Sequence, residues 1–140
     1  MASRARGIRL SEGLEREIER DAQLRGQSFT STTSEMLFEA VRMRRVPGVV
    51  FTDGPAGRRA TIAGTGLDVW EVIATWKDVG EQWTALRESY EWLTDFQLRS
   101  AVAYYKIYPQ EIDARLAVEE RWTPERMESE LPFLAPRRER

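Results

Sequence analysis

The sequence contains no cysteine and no histidine. The first absence removes a disulfide framework, a thiolate nucleophile and a zinc knuckle. The second removes the commonest general base, the usual partner of a catalytic serine and the commonest transition-metal ligand. Lysine is scarce as well. Lys77 and Lys106 are the only two, and no glycine-rich phosphate loop of the required spacing accompanies them. An enzyme built from this set would have to run on carboxylates with Mg²⁺ or on a lysine, and the composition argues against one. No apolar run approaches the ~18 residues that span a bilayer. The first ten residues carry arginines with no apolar core behind them, unlike a signal peptide. The expectation is a cytoplasmic protein with no cofactor, no metal and no membrane partner.

What is present is an ordinary globular balance, 41% hydrophobic and 31% charged over 140 residues. That length holds one domain or two small ones, and that balance excludes wholesale disorder. The net charge of −2 is unevenly spread. Residues 1–45 carry nine arginines against seven acids, and residues 46–140 carry twelve basic residues against sixteen acids. Arg4, Arg6, Arg44 and Arg45 lie at the extremities of the first segment. A basic head on an acidic body suits a chain that meets nucleic acid with one end only.

The periodicities predict a mainly α chain with small β elements. Residues 5–10 alternate as a short strand, with Ile8 and Leu10 on one face and Gly7 and Arg9 on the other. Ser11 then caps a helix whose stripe is Leu14, Ile18 and Ala22, and Gly26 ends it. Thr32 and Glu35 have the spacing of a capping box for a second helix, with Met36, Leu37, Ala40 and Val41 as its stripe. Val46-Pro47-Gly48 breaks the pattern and sets the expected boundary between a domain at 1–46 and the remainder. Two β-branched runs, 49–52 and 60–63, predict a hairpin with a loop of five or more residues around Asp-Gly-Pro-Ala-Gly. Helical stripes follow over 68–76, 80–90 and 94–105, the last opened by a Thr94/Gln97 capping box. Pro109 and Thr123-Pro124 open two more helices. The body is thus expected at 47–120 as a hairpin plus a helical bundle, with a final helix and tail at 121–140.

A lone six-residue strand cannot satisfy its own backbone, and two short helices bury too little to fold alone. Pairing two chains answers both needs. The order and spacing of GIRLSEGLEREIE, Gly26 and SFTSTTSEMLFEAVRMRR resemble the ribbon-helix-helix family of bacterial repressors and antitoxins, the CopG- and Arc-like proteins. The resemblance implies a homodimer, or a higher assembly, with Ile8, Leu10, Leu14, Ile18, Leu37 and Val41 in a shared core. It implies that the opposite ribbon face, with Gly7 and Arg9, enters the major groove, where Arg9 can read guanine. Arg4 and Arg6 then meet phosphates, as do the N–H groups and hydroxyls of Ser31, Thr32 and Thr33 at the start of the second helix. Ala5 and Gly7 stand where the family usually has longer polar side chains, so base reading per half-site is expected to be thin.

Beyond Pro47, the motifs VVFTDGPAGRRATIAGTGLDVWEVI and ESYEWLTDFQLRSAVAYY resemble the family catalogued as domain of unknown function 433. Its members look like VapB-like antitoxin modules encoded beside PIN-like ribonuclease toxins. Gly66-Leu67 departs from the pattern where a basic residue often follows Gly-Thr. From the residues alone, Trp70, Trp76, Trp83, Trp92 and Trp122 read as core. Asp68, Glu71, Asp78 and Glu81 read as a solvated helix face and not a metal cluster. Arg58 and Arg59 fit an exposed turn as well as a contact to DNA or a partner. In the tail, Leu131, Phe133 and Leu134 offer apolar anchors, and Arg137 and Arg138 suit the carboxylates of a Mg²⁺ nuclease.

Two functions fit this sequence. The first is the antitoxin of a type II toxin–antitoxin pair, which binds operator DNA as a dimer and neutralises a PIN-like ribonuclease. The second is a stand-alone ribbon-helix-helix repressor whose C-terminal module senses a ligand or oligomerises.

Overall fold

The computed structural model describes residues 3–134, a mainly helical chain with one small antiparallel sheet. It divides into two compact units, Met1–Arg44 and Arg45–Arg140.

The first unit holds α1 (Glu12–Arg25) and α2, which runs from Phe29 to Arg45. Ser11 caps α1 by accepting the Leu14 N–H at 3.2 Å. Gly26 ends it in the left-handed conformation, at φ 64° and ψ 32°, which glycine adopts without a Cβ penalty. Ile18 and Ala22 are buried along its inner face. The second helix opens a turn earlier than its Thr/Ser run suggested. Ser28 is the capping side chain and accepts the Ser31 N–H at 3.0 Å. The expected Thr32/Glu35 box does not form, because Thr32 lies inside the helix, fully buried, with its N–H on the Ser28 carbonyl. The earlier start adds a turn of backbone hydrogen bonds and turns Thr32 into the interior. Residues 5–10 form no strand ladder among the described residues.

The second unit begins with a hairpin, β1 (Val49–Gly54) and β2 (Gly57–Ile62), in register from Val49↔Ile62 to Gly54↔Gly57. Its loop is the pair Pro55-Ala56, and not the five or more residues read from the sequence. The strands continue into the turn because Arg58 donates across them to Asp53 Oδ1 at 3.2 Å and to the Phe51 carbonyl at 3.1 Å. Gly57, at φ 107°, supplies the backbone conformation that closes the turn.

Five helices follow: α3 (Val69–Asp78), α4 (Trp83–Ser89), α5 (Asp95–Ile107), α6 (Pro109–Glu120) and α7 (Pro124–Glu130), with a 3₁₀ turn at Pro132–Leu134. The helix expected from Gly80 starts only at Trp83, since Gly80 and Glu81 both take positive φ, 65° and 59°. Thr94 and Gln97 form their capping box, Pro109 is in the first turn of α6, and Thr123 caps α7. The core gathers Val49, Ile62, Val72, Leu86, Leu98 and Tyr104 from hairpin and helices. Val46 belongs to it too, with 3% exposure, so the breaker segment is built into the second unit. Gly48 is buried against α5. A Cβ there would stand 2.0 Å from Ser100 Oγ, so the close approach of the backbone admits only glycine.

Candidate functional site

In the first unit, Arg4, Arg6, Gly7 and Arg9 are exposed along the segment without helix or strand ahead of α1. Ser31 is exposed on the first turn of α2, but its N–H is taken by Ser28. Thr32 is buried, and the Thr33 hydroxyl donates to the Phe29 carbonyl at 2.7 Å. Thr32 and Thr33 thus differ from the exposed hydroxyls expected at this helix start. Of the six side chains assigned to a shared core, Ile18 is buried within the unit and Leu10 is partly covered. Ile8, Leu14, Leu37 and Val41 are 64%, 46%, 53% and 57% exposed. Phe38 and Met43 add further uncovered apolar surface on α2.

The tail residues differ among themselves. Leu131 is partly buried and Phe133 is exposed. Leu134 closes the 3₁₀ turn. Arg137 and Arg138 lie outside the described residues.

The body holds a site that the sequence reading did not find. The hairpin end, the start of α3 and one face of α6 line a partly open cavity of about 200 Å³. Asp68, expected on a solvated face, is instead buried at the N-terminus of α3. Its Oδ2 accepts the Trp70 indole N–H at 2.9 Å, and its backbone N–H donates to Glu71 Oε2 at 2.9 Å. Arg59 Nη1 lies 3.0 Å from Asp68 Oδ1, an ion pair that compensates the buried charge. Across the cavity, Arg115 lies over the Trp70 ring, 5.3 Å from its centroid, and pairs with Glu119. Its buried Nε has no hydrogen-bond partner. Arg58 and Glu111 complete the charged lining, and Glu111 accepts the Tyr104 hydroxyl at 2.9 Å. The signal for Asp68 was its place two residues before Trp70 in Asp-Val-Trp, where one carboxylate serves both the helix start and the indole.

The tryptophans divide. Trp70, Trp76 and Trp83 pack against the core, as read from the sequence. Trp92 and Trp122 do not, being 65% and 43% exposed. Trp92 stands edge-on to Tyr90, and Trp122 lies beneath the Arg126 guanidinium. On another face, Tyr105 and Lys77 converge on Asp113 Oδ1 at 2.8 Å and 3.2 Å. The Tyr105 hydrogen bond first, and Lys77 second, hold the Asp113 carboxyl below the usual carboxylate range. Among the described residues no acidic group is gathered as a metal site, and no helix is long and apolar enough to cross a membrane.

No curated protein and no solved structure matches the chain. Residues 49–105, from β1 through most of α5, match the model of the family described as protein of unknown function (DUF433).

Proposed function

We propose that the chain is a non-enzymatic, dimeric DNA-binding protein whose first unit is half of a ribbon-helix-helix module, and that it acts as the antitoxin of a PIN-like ribonuclease. One observation carries this reading. The first unit leaves Ile8, Leu14, Leu37 and Val41 uncovered, and residues 5–10 pair as a strand with none of the described residues. A second copy satisfies both at once, with strand on strand and stripe on stripe. Dimerisation then sets the exposed Arg9 and its symmetry mate on one ribbon face, where a guanidinium can take guanine O6 and N7. Arg4 and Arg6 follow the backbone of the duplex, and Ser31 approaches a phosphate from the first turn of α2. The antitoxin role draws on the resemblance of the body to VapB-like modules, with Phe133 as an exposed apolar anchor and Arg137 and Arg138 meeting nuclease carboxylates.

The test is co-expression with the product of the neighbouring reading frame, followed by pull-down, a ribonuclease assay and binding to the upstream DNA. Joint capture, inhibition and salt-dependent DNA binding are the expected result. Removal of residues 129–140 should weaken inhibition and leave DNA binding intact. A chain that binds DNA but neither captures nor inhibits the neighbouring product loses the antitoxin role. The cavity beside Asp68 favours a second reading in that event: a repressor whose body senses a small ligand.

A further inference from the structure

We infer that the groove between α5 and the wall formed by α3 and α4 is a docking site for an amphipathic helix of a protein partner, one that carries two acidic residues seven positions apart on its apolar face. The inference rests on this groove alone and stands apart from the dimer and from the antitoxin role. Trp76 of α3 and Trp83 of α4 line an open groove of about 390 Å³ together with Arg99, Val102, Ala103 and Lys106 of α5. Val102 belongs to the core and both indoles are packed against it, so the apolar lining is held in place. Arg99 and Lys106 are exposed, and no carboxylate lines the groove. Neither cation has an ion-pair partner among the described residues. The groove thus presents apolar surface and uncompensated positive charge, and an occupant must bring apolar surface and negative charge.

The order of these residues along α5 sets the shape of the occupant. Arg99, Val102, Ala103 and Lys106 fall at i, i+3, i+4 and i+7, a single stripe with a cation at each end and two apolar side chains between. At 1.5 Å of rise per residue the two cations stand ~10 Å apart along the helix axis. A helix laid along the groove repeats that spacing unchanged, with acids at i and i+7 and apolar residues at i+3 and i+4. A strand does not, because residues on one of its faces recur at ~6.6 and ~13 Å. Arg99 is already arranged for a carboxylate. Its guanidinium lies over the Trp83 ring, 4.7 Å from the centroid, which steadies its plane and leaves its N–H edge free to donate. The same stack disfavours a single-stranded nucleic acid, whose bases would compete for the ring face that Arg99 covers.

The probe is a synthetic alanine-rich helical peptide with glutamates at i and i+7 and leucines at i+3 and i+4, titrated calorimetrically into the full chain. Saturable binding below millimolar concentration is expected. Replacing either glutamate with glutamine should weaken it by roughly threefold to tenfold, the span from an exposed ion pair to a charge-assisted hydrogen bond. A peptide of the same composition with its glutamates on the opposite face should bind no better than the doubly neutralised one. The chain with both Arg99→Glu and Lys106→Glu should lose the parent peptide and gain one with lysines in place of its glutamates. Both positions are exposed, so the charge reversal leaves the core untouched, and circular dichroism checks that it does. The peptide series needs no mutation and decides the matter even where the variant fails to fold. The inference is overturned if the parent peptide does not saturate, if the neutral or opposite-face peptide binds as well, or if the folded variant does not follow the exchange of charge. It is overturned too if a short oligothymidylate binds more tightly than the peptide and loses that binding in the variant.

Discussion

Leu37→Ala should weaken self-association by about 30-fold. Leu37 is 53% exposed on α2 in the single chain. Full burial of a leucine side chain contributes ~1.5–3 kcal/mol, so closing the exposed half on a second copy returns ~1 kcal/mol per chain and ~2 kcal/mol per dimer. That is a factor of about 30 in the dimer dissociation constant. The same estimate over Ile8, Leu14, Leu37 and Val41 gives ~8 kcal/mol per dimer. Association costs ~4–15 kcal/mol, so these side chains alone barely close the assembly, and pairing of residues 5–10 must supply much of the rest. A dimer so balanced makes a 30-fold change visible by sedimentation equilibrium across a dilution series. Leu24→Ala is the control. Leu24 is 78% exposed on α1, away from the line of Leu14, Ile18 and Ala22, and its loss should change nothing. The reasoning fails if the unaltered chain is monomeric at micromolar concentration, or if Leu24→Ala weakens association as much as Leu37→Ala.

Arg9→Ala should cost roughly 1–3 kcal/mol on the specific DNA site and relax discrimination there, read by competition against random duplex. Arg4→Ala and Arg6→Ala should instead weaken all sequences alike and flatten the salt dependence by about one unit each. Gly48→Ala should destabilise the second unit by at least ~1–3 kcal/mol in urea unfolding, since its Cβ would meet both side-chain atoms of Ser100. A midpoint unchanged by that substitution would show that α5 is not pressed against the chain at Gly48. The depressed Asp113 carboxyl contributes stability that is complete above its unfolded pKa and lost as pH falls through its lower folded value. Asp113 is half-exposed and its pair with Lys77 is screened, so Asp113→Asn should flatten the acid limb of the stability curve by well under ~1 kcal/mol.

Local chemistry was legible wherever one residue type admits one geometry. Ser11, Gly26, Thr94 with Gln97, Pro109 and Thr123-Pro124 mark helix ends because capping and φ restriction act within a few residues. It failed where neighbours of similar propensity competed. Ser28 and Thr32 both cap well, and the choice fell to the one that buries Thr32. The hairpin loop was read too long because Arg58, five positions after Asp53, bonds back across the turn and extends the ladder. The apolar stripe on α1 and α2 was legible as a helical pattern, and Leu14, Leu37 and Val41 of it are exposed in the single chain. The body cavity was not. It depends on α6 lying beside the hairpin, and no spacing in the chain announces that Arg115 and Asp68 share one space.

The residues that open the second unit are held by its core. The helix α2 runs to Arg45, Val46 is 3% exposed in the core of the second unit, and Gly48 is seated against Ser100. Proteases cut where several residues can unfold into their clefts, usually exposed loop tips and loose linkers. The junction offers neither, so it should resist nicking even though it separates two cores. The head is therefore obtained by truncating the coding sequence, because a protease can reach the junction only after the second unit has begun to open.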